Sequence, residues 1–131
     1  MKNIKVGNDI VEIERIRSAV RSERFVKRVY SEKESALFSK KKNPYESMAA
    51  NWAAKEAFGK CLGTGIRKFS LNEVSCLRDE LGCPYLELTG EAKKIAERSG
   101  MEFSVSLSHT KQYATAVVIG ARIRDQKDVF I

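Results

Sequence analysis

Apolar and polar residues alternate at the start of the chain, in IKVGNDIVEI, where Ile4 and Val6 predict a short strand ending near Gly7. Asp9 and Glu12 have the three-residue spacing of a helix start, loosely a capping box. Ile13, Ile16 and Val20 then recur at helical spacing, which predicts a first helix to about Val20. A second short helix is expected over Glu23 to Val29, with Phe25 and Val29 inward. Ser31 and Glu34 form a capping box for a third helical segment through Phe38, and SKKKNPYES (39–47) is a polar, proline-containing break. The run AANWAAKEAFGKCL then reaches Gly63, a suitable helix C-cap. Ala50, Ala53, Ala54, Ala57 and Cys61 fall on one stripe of small side chains, so this helix should pack closely and centrally.

After Gly65 the pattern changes to that of strands. Ser70–Leu77 and Pro84–Leu88 read as a hairpin turning at RDELGC, and Gly90–Arg98 as a short amphipathic helix with Ala92, Ile95 and Ala96 inward. EFSVSLS (102–108) alternates cleanly, and YATAVVIGA (113–121) has the character of a buried strand. HTKQ joins the two, and the tail from Arg122 looks loosely held. A strand, then helices, then mostly strands gives an α+β fold in one domain, 1–131.

Composition narrows the setting. No apolar run approaches a membrane-spanning length, and the apolar part of the N-terminus is too brief for a secretory signal, so the protein is expected to be cytoplasmic. Three cysteines without CxxC spacing argue against a disulfide framework or a zinc site. The net charge of +7 favours a polyanionic partner. It is concentrated in Arg15, Arg17, Arg21, Arg24, Lys27 and Arg28, opposed only by Glu23: either a solvated face or a docking patch. Nucleic acid is disfavoured as the partner, because apart from Phe25 and Tyr30 the aromatic residues do not interleave with this run and no recognition motif is present.

Three places carry candidate chemistry. Asp9 is either a helix N-cap or a metal-binding carboxylate at a strand end. Glu56 and Lys60, at i and i+4, form either an ordinary helix ion pair or a carboxylate and ammonium facing a phosphate. Gly63-Thr64-Gly65 directly after them permits a close backbone approach, although such a triplet alone is equally a C-cap. His109, in Ser108-His109-Thr110-Lys111, is the single histidine and has no partners spaced for zinc or for nucleophilic catalysis. Two carboxylates, a lysine and these loops suit Mg²⁺ and phosphate chemistry on a nucleotide-like ligand.

VGNDIVEIERI, FVKR followed by SEKE, WAAKEAFGKCLGTG and VSLSHTKQYATAVV, in this order and spacing, resemble the holo-acyl-carrier-protein synthases, the short trimeric branch of the 4′-phosphopantetheinyl transferases. The resemblance implies an α+β fold with an antiparallel sheet packed around a central helix. It implies a homotrimer with coenzyme A in clefts between subunits. The implied reaction moves 4′-phosphopantetheine from coenzyme A to a serine of apo-acyl carrier protein, releasing 3′,5′-ADP, in support of fatty acid biosynthesis. By the same resemblance Asp9 and Glu56 would hold Mg²⁺, and Lys60 would neutralise phosphate charge. Gly63, Thr64 and Gly65 would line the nucleotide, with His109 and Thr110 contacting it from their turn. Arg15, Arg21, Arg24 and Arg28 would dock the acidic carrier protein, and the serine's general base stays open between Glu56 and a metal-bound water. A non-catalytic coenzyme A or nucleotide-binding module is the alternative, and it would tolerate Glu56→Gln. Two positions depart from the family: Asn8 stands in a usually apolar place, and Asn51 where many members carry arginine. The second departure puts a phosphate contact in doubt unless Arg67 or a lysine supplies it.

Overall fold

A computed structural model describes residues 3–122. The chain runs β1 (Ile4–Glu12), α1 (Ile13–Ala19), α2 (Glu23–Val29), α3 (Glu32–Ser39) and α4 (Tyr45–Leu62). Two short 3₁₀ turns follow, Gly65–Lys68 and Leu71–Glu73, then β2 (Val74–Arg78), β3 (Pro84–Leu88), α5 (Gly90–Ser99), β4 (Met101–His109) and β5 (Tyr113–Arg122). β1, β5 and β4 form an antiparallel sheet in that order, and β2 and β3 form a separate hairpin. The α+β fold is as expected. Of the C-terminal tail, only Arg122 lies within the described residues, where it ends β5.

Three boundaries differ from the reading of the sequence. The first is that of β2, which begins at Val74 and not at Ser70, because Ser70 and Glu73 form a capping box around a 3₁₀ turn, Leu71–Glu73. β1 does not stop at Gly7: it pairs with β5 as far as Glu12↔Tyr113. Asp9 is therefore a mid-strand residue opposite Ala116, not a helix cap, and α1 begins four residues later without a side-chain cap. The continuous ladder with β5 outweighs one local capping signal. α4, in turn, starts at Tyr45, inside the stretch read as a break, with Pro44 at the N-cap. The Ser31–Glu34 capping box is present on both sides, as expected.

α4 is the organising element. Ala50, Ala53, Ala54, Ala57 and Cys61 are all buried, together with Phe58, in a core that the sheet and the other helices share. Close approach is literal at Gly7, where a Cβ would fall 2.1 Å from the Ala57 carbonyl oxygen and 2.5 Å from the Cys61 nitrogen. β1 thus lies directly on α4. The inward residues of β1 after Gly7 are Asp9 and Val11, and this places the Asp9 carboxylate beside α4. The outward face of the same sheet carries Ile4, Val6, Ile10, Tyr113, Val117 and Ile119, all exposed, with Asn8 among them.

Candidate functional site

Asp9, Glu56 and Lys60 meet where β1 crosses the C-terminal half of α4. Lys60 Nζ donates to Asp9 Oδ1 at 3.1 Å, and the Asp9 side chain is only 16% exposed. The helix ion pair available to Lys60 within α4, with Glu56, is not formed; the lysine reaches across to the strand instead. Glu56 is half-buried, and its carboxyl is held above the usual carboxylate range, chiefly by burial and then by the like charge of Asp9, with Lys60 opposing. Two carboxylates and one ammonium therefore converge with an excess of negative charge.

Asp9 and Glu56 line a cleft of about 410 Å³ with Ile10, Arg15, Ile16, Phe25 and Trp52. The Phe25 and Trp52 rings stack in its wall, 5.7 Å between centroids. Arg15 enters this cleft from α1, while Arg21, Arg24 and Arg28 stand exposed on the α1–α2 connection and on α2. The basic run thus borders the carboxylate cleft on one side.

Donor chemistry decides which ion these carboxylates suit. Among the described residues no group of three or more His, Cys, Asp and Glu side chains converges. Two hard oxygen donors, leaving further positions to water and substrate phosphates, fit Mg²⁺ and not a caged transition metal.

The Gly-Thr-Gly loop sits at the C-terminal end of α4. Gly63 caps the helix with φ +81° and Gly65 has φ +64°, both in the left-handed region. The loop then folds back on the helix: a Cβ on Gly59 would lie 2.7 Å from the Gly65 carbonyl. Thr64 Oγ1 donates to the Gly65 carbonyl at 3.0 Å and so helps hold the turn.

His109 and Thr110 lie elsewhere. His109 ends β4, and its Nδ1 is 2.6 Å from Glu46 Oε2 in the first turn of α4. The Thr110 hydroxyl accepts from the Gln112 and Tyr113 amides at 3.2 and 3.0 Å, closing the β4–β5 turn. Nearly the whole of α4, about 25 Å at 1.5 Å per residue, separates Glu46 from Gly63. Within one chain the six residues assigned to the nucleotide therefore form two groups, Lys60 with Gly63–Gly65 and His109 with Thr110. A second cleft, of about 300 Å³, opens beside His109 and is lined by Glu46, Ser47, Arg78 and Ser106.

A buried polar chain beneath this cleft was not read from the sequence. Lys55 and Glu34 are fully buried and paired at 2.6 Å, with Lys55 Nζ also donating to the Leu71 carbonyl at 3.1 Å and to that of Val74. Asn51 Nδ2 donates to Glu34 Oε2 and to the Cys76 carbonyl, both at 2.8 Å. Asn51 and Lys55 are one turn apart, so they share a face of α4; that spacing was the available signal.

Comparison with known proteins gives this arrangement its relatives. Residues 5–118 match the 4′-phosphopantetheinyl transferase superfamily. A holo-[acyl-carrier-protein] synthase of Fusobacterium nucleatum is 41% identical over 118 residues, covering 88% of this chain and 97% of the relative. The crystal structure of the Neisseria meningitidis synthase matches with a TM-score of 0.82 at 31% identity, over 90% of this chain and 98% of that one. The Bacillus anthracis synthase, solved in complex with CoA (3′,5′-ADP), matches with a TM-score of 0.77 at 29% identity, over 91% and 96%. The chain belongs to the 4′-phosphopantetheinyl transferase superfamily.

Proposed function

We propose that this protein transfers 4′-phosphopantetheine from coenzyme A to a serine hydroxyl of apo-acyl carrier protein, giving the holo form and 3′,5′-ADP. The convergence of Asp9 and Glu56 in one cleft, with Lys60 bonded to Asp9 beside it, is the observation that carries this reading. Asp9 and Glu56 are the residues that would hold Mg²⁺, and the ion, when bound, supplies charge neutralisation at the phosphates. Lys60 adds a positive charge beside these carboxylates, and Gly63–Gly65 offers backbone close to it in sequence. Transfers at phosphorus depend mainly on positioning and electrostatic stabilisation, which is what these groups provide.

The acidic carrier protein docks on the basic face. Arg15 reaches from that face into the carboxylate cleft, so a partner bound to Arg15, Arg21, Arg24 and Arg28 presents its serine near Asp9 and Glu56. Charge reversal at Arg24 is expected to raise KM for the carrier protein and leave that for coenzyme A unchanged; an equal rise in both would exclude a docking role.

Two features support assembly as a homotrimer with coenzyme A between subunits. The apolar outward face of β1 and β5 has no cover among the described residues, and the two groups of proposed nucleotide residues lie at opposite ends of α4. A cleft between copies can bring the His109 and Thr110 end of one chain to the Lys60 end of another. The protein acts in the cytoplasm on this reading. Among the described residues no helix is long and apolar enough to cross a membrane.

Intact-mass spectrometry tests the function. Apo-acyl carrier protein incubated with this protein, coenzyme A and Mg²⁺ should gain one phosphopantetheinyl group, and EDTA or Glu56→Ala should abolish the gain. A folded protein that binds coenzyme A without any transfer would instead point to a binding module or to a different carrier protein.

A further inference from the structure

Arg78, the last residue of β2, lines the His109 cleft and forms no ion pair among the described residues. Its hydrogen bonds go to uncharged acceptors. Nη2 donates to Asn51 Oδ1 at 3.0 Å; Nη1 donates to the Cys76 and Leu77 carbonyls at 3.2 and 3.3 Å and to Cys76 Sγ at 3.5 Å. The guanidinium is therefore oriented without being neutralised, and its Nε–H is unused among the described residues.

Asn51 is what orients it. Its Nδ2 faces two acceptors, Glu34 Oε2 and the Cys76 carbonyl, so Oδ1 must face Arg78. Glu34 is in turn fixed by Lys55 and by the Cys76 amide at 3.2 Å. Asn51 itself is fully buried and contributes no charge to the cleft. The cleft's cation therefore comes from β2 and not from the adjoining face of α4.

We propose that Arg78 binds the 3′-phosphate of the donor nucleotide, with Asn51 as the positioning residue that holds its guanidinium towards the cleft. The inference rests on coenzyme A being the donor. The pyrophosphate has its cations at Lys60 and the carboxylate cleft, which leaves the 3′-phosphate, a monoester with close to two negative charges at neutral pH, in need of its own. A planar guanidinium matches that group with paired N–H donors. The other polar groups around the cleft agree: Ser47 and Ser106 offer hydroxyls, and Glu46, the one acid lining it among the described residues, is engaged by His109 at 2.6 Å.

Arg78→Met keeps the apolar stem and removes the charge. Kinetic constants would be measured with coenzyme A and with 3′-dephospho-coenzyme A, alongside calorimetric titration of 3′,5′-ADP and 5′-AMP. KM for coenzyme A and Kd for 3′,5′-ADP should rise about 10- to 100-fold, with kcat nearly unchanged and with values for the two ligands lacking the 3′-phosphate unaltered. An equal effect on both members of either pair, or none, overturns the proposal. Should Arg78→Met not fold, Arg78→Lys decides: an intermediate loss confined to the 3′-phosphorylated ligands supports it, and an equal loss on all overturns it. If the unsubstituted protein transfers from neither donor, the functional reading fails on its own. Calorimetry still decides here, because equal binding of 3′,5′-ADP and 5′-AMP by the unsubstituted protein overturns the role of Arg78.

Discussion

Lys55 and Glu56 are neighbours in sequence with opposite fates. Glu56 faces the cleft, whereas Lys55, on the buried side of the same helix, is fully enclosed with Glu34. Burial pushes the Lys55 ammonium below its ordinary range while the Glu34 carboxylate pulls it back, so Lys55 depends on this one partner. Lys55→Met should then cost about 3–5 kcal/mol, since Glu34 is left buried without its counter-ion. The double variant Lys55→Met with Glu34→Leu should recover a large part of that loss in urea unfolding. At Glu56 the pH dependence has the opposite origin. Its raised carboxyl means that the folded state holds the proton more tightly than the unfolded one, so its stabilising contribution is complete below the ordinary glutamate range and is lost as pH rises through the raised value. Metal-free unfolding midpoints of the parent and Glu56→Gln should therefore diverge in that window, with the variant the more stable above it; parallel pH profiles would remove burial and Asp9 as the cause. The sequence showed that Glu56 and Lys60 share a face. It did not show that Lys60 would choose Asp9, 51 residues away, because that choice depends on where β1 crosses the helix.

Among the elements, the helices and strands were readable because their periodicity is strong, but three ends, those of β1, α4 and β2, were not. The Asp9-x-x-Glu12 pattern is a legitimate local start signal, yet strand pairing through Glu12↔Tyr113 extends β1 over it. A hydrogen-bonded neighbour that lies a hundred residues ahead leaves no mark on the local pattern. The glycines record the packing more faithfully. Gly7 touches α4, and Gly59 makes room for the Gly63–Gly65 loop to fold against the same helix. An alanine at position 59 gains about 1 kcal/mol of helix propensity, while its methyl must displace the Gly65 backbone. Because backbone and not a flexible side chain has to give way, Gly59→Ala is expected to destabilise the fold by about 1–2 kcal/mol net of the propensity gain. Its main effect should be a several-fold rise in KM for coenzyme A, read by steady-state kinetics. An unchanged KM would mean that the loop does not contact the nucleotide.

At the scale of the whole molecule, the question is why the residues proposed to hold the nucleotide should lie at both ends of one helix. His109 is tied to the first turn of α4 through Glu46, and Gly63 caps its last turn, so one chain keeps them apart by the length of the helix. Coenzyme A bound between copies resolves this, provided that the Asp9–Glu56–Lys60 cluster of one subunit works with the His109 and Arg78 cleft of its neighbour. The exposed apolar face of β1 and β5 is the surface such an assembly would cover, and it would account for six large apolar side chains left exposed among the described residues. Subunit complementation tests the arrangement directly. Glu56→Ala and His109→Ala should each lose most activity as pure proteins. After the two are mixed, unfolded and reassembled together, roughly one site in four should combine an intact Glu56 from one chain with an intact His109 from another. Activity should then return to about that fraction of the parent's, measured by transfer to the carrier protein. A site contained within one chain would show no recovery at all, whatever the proportions of the mixture.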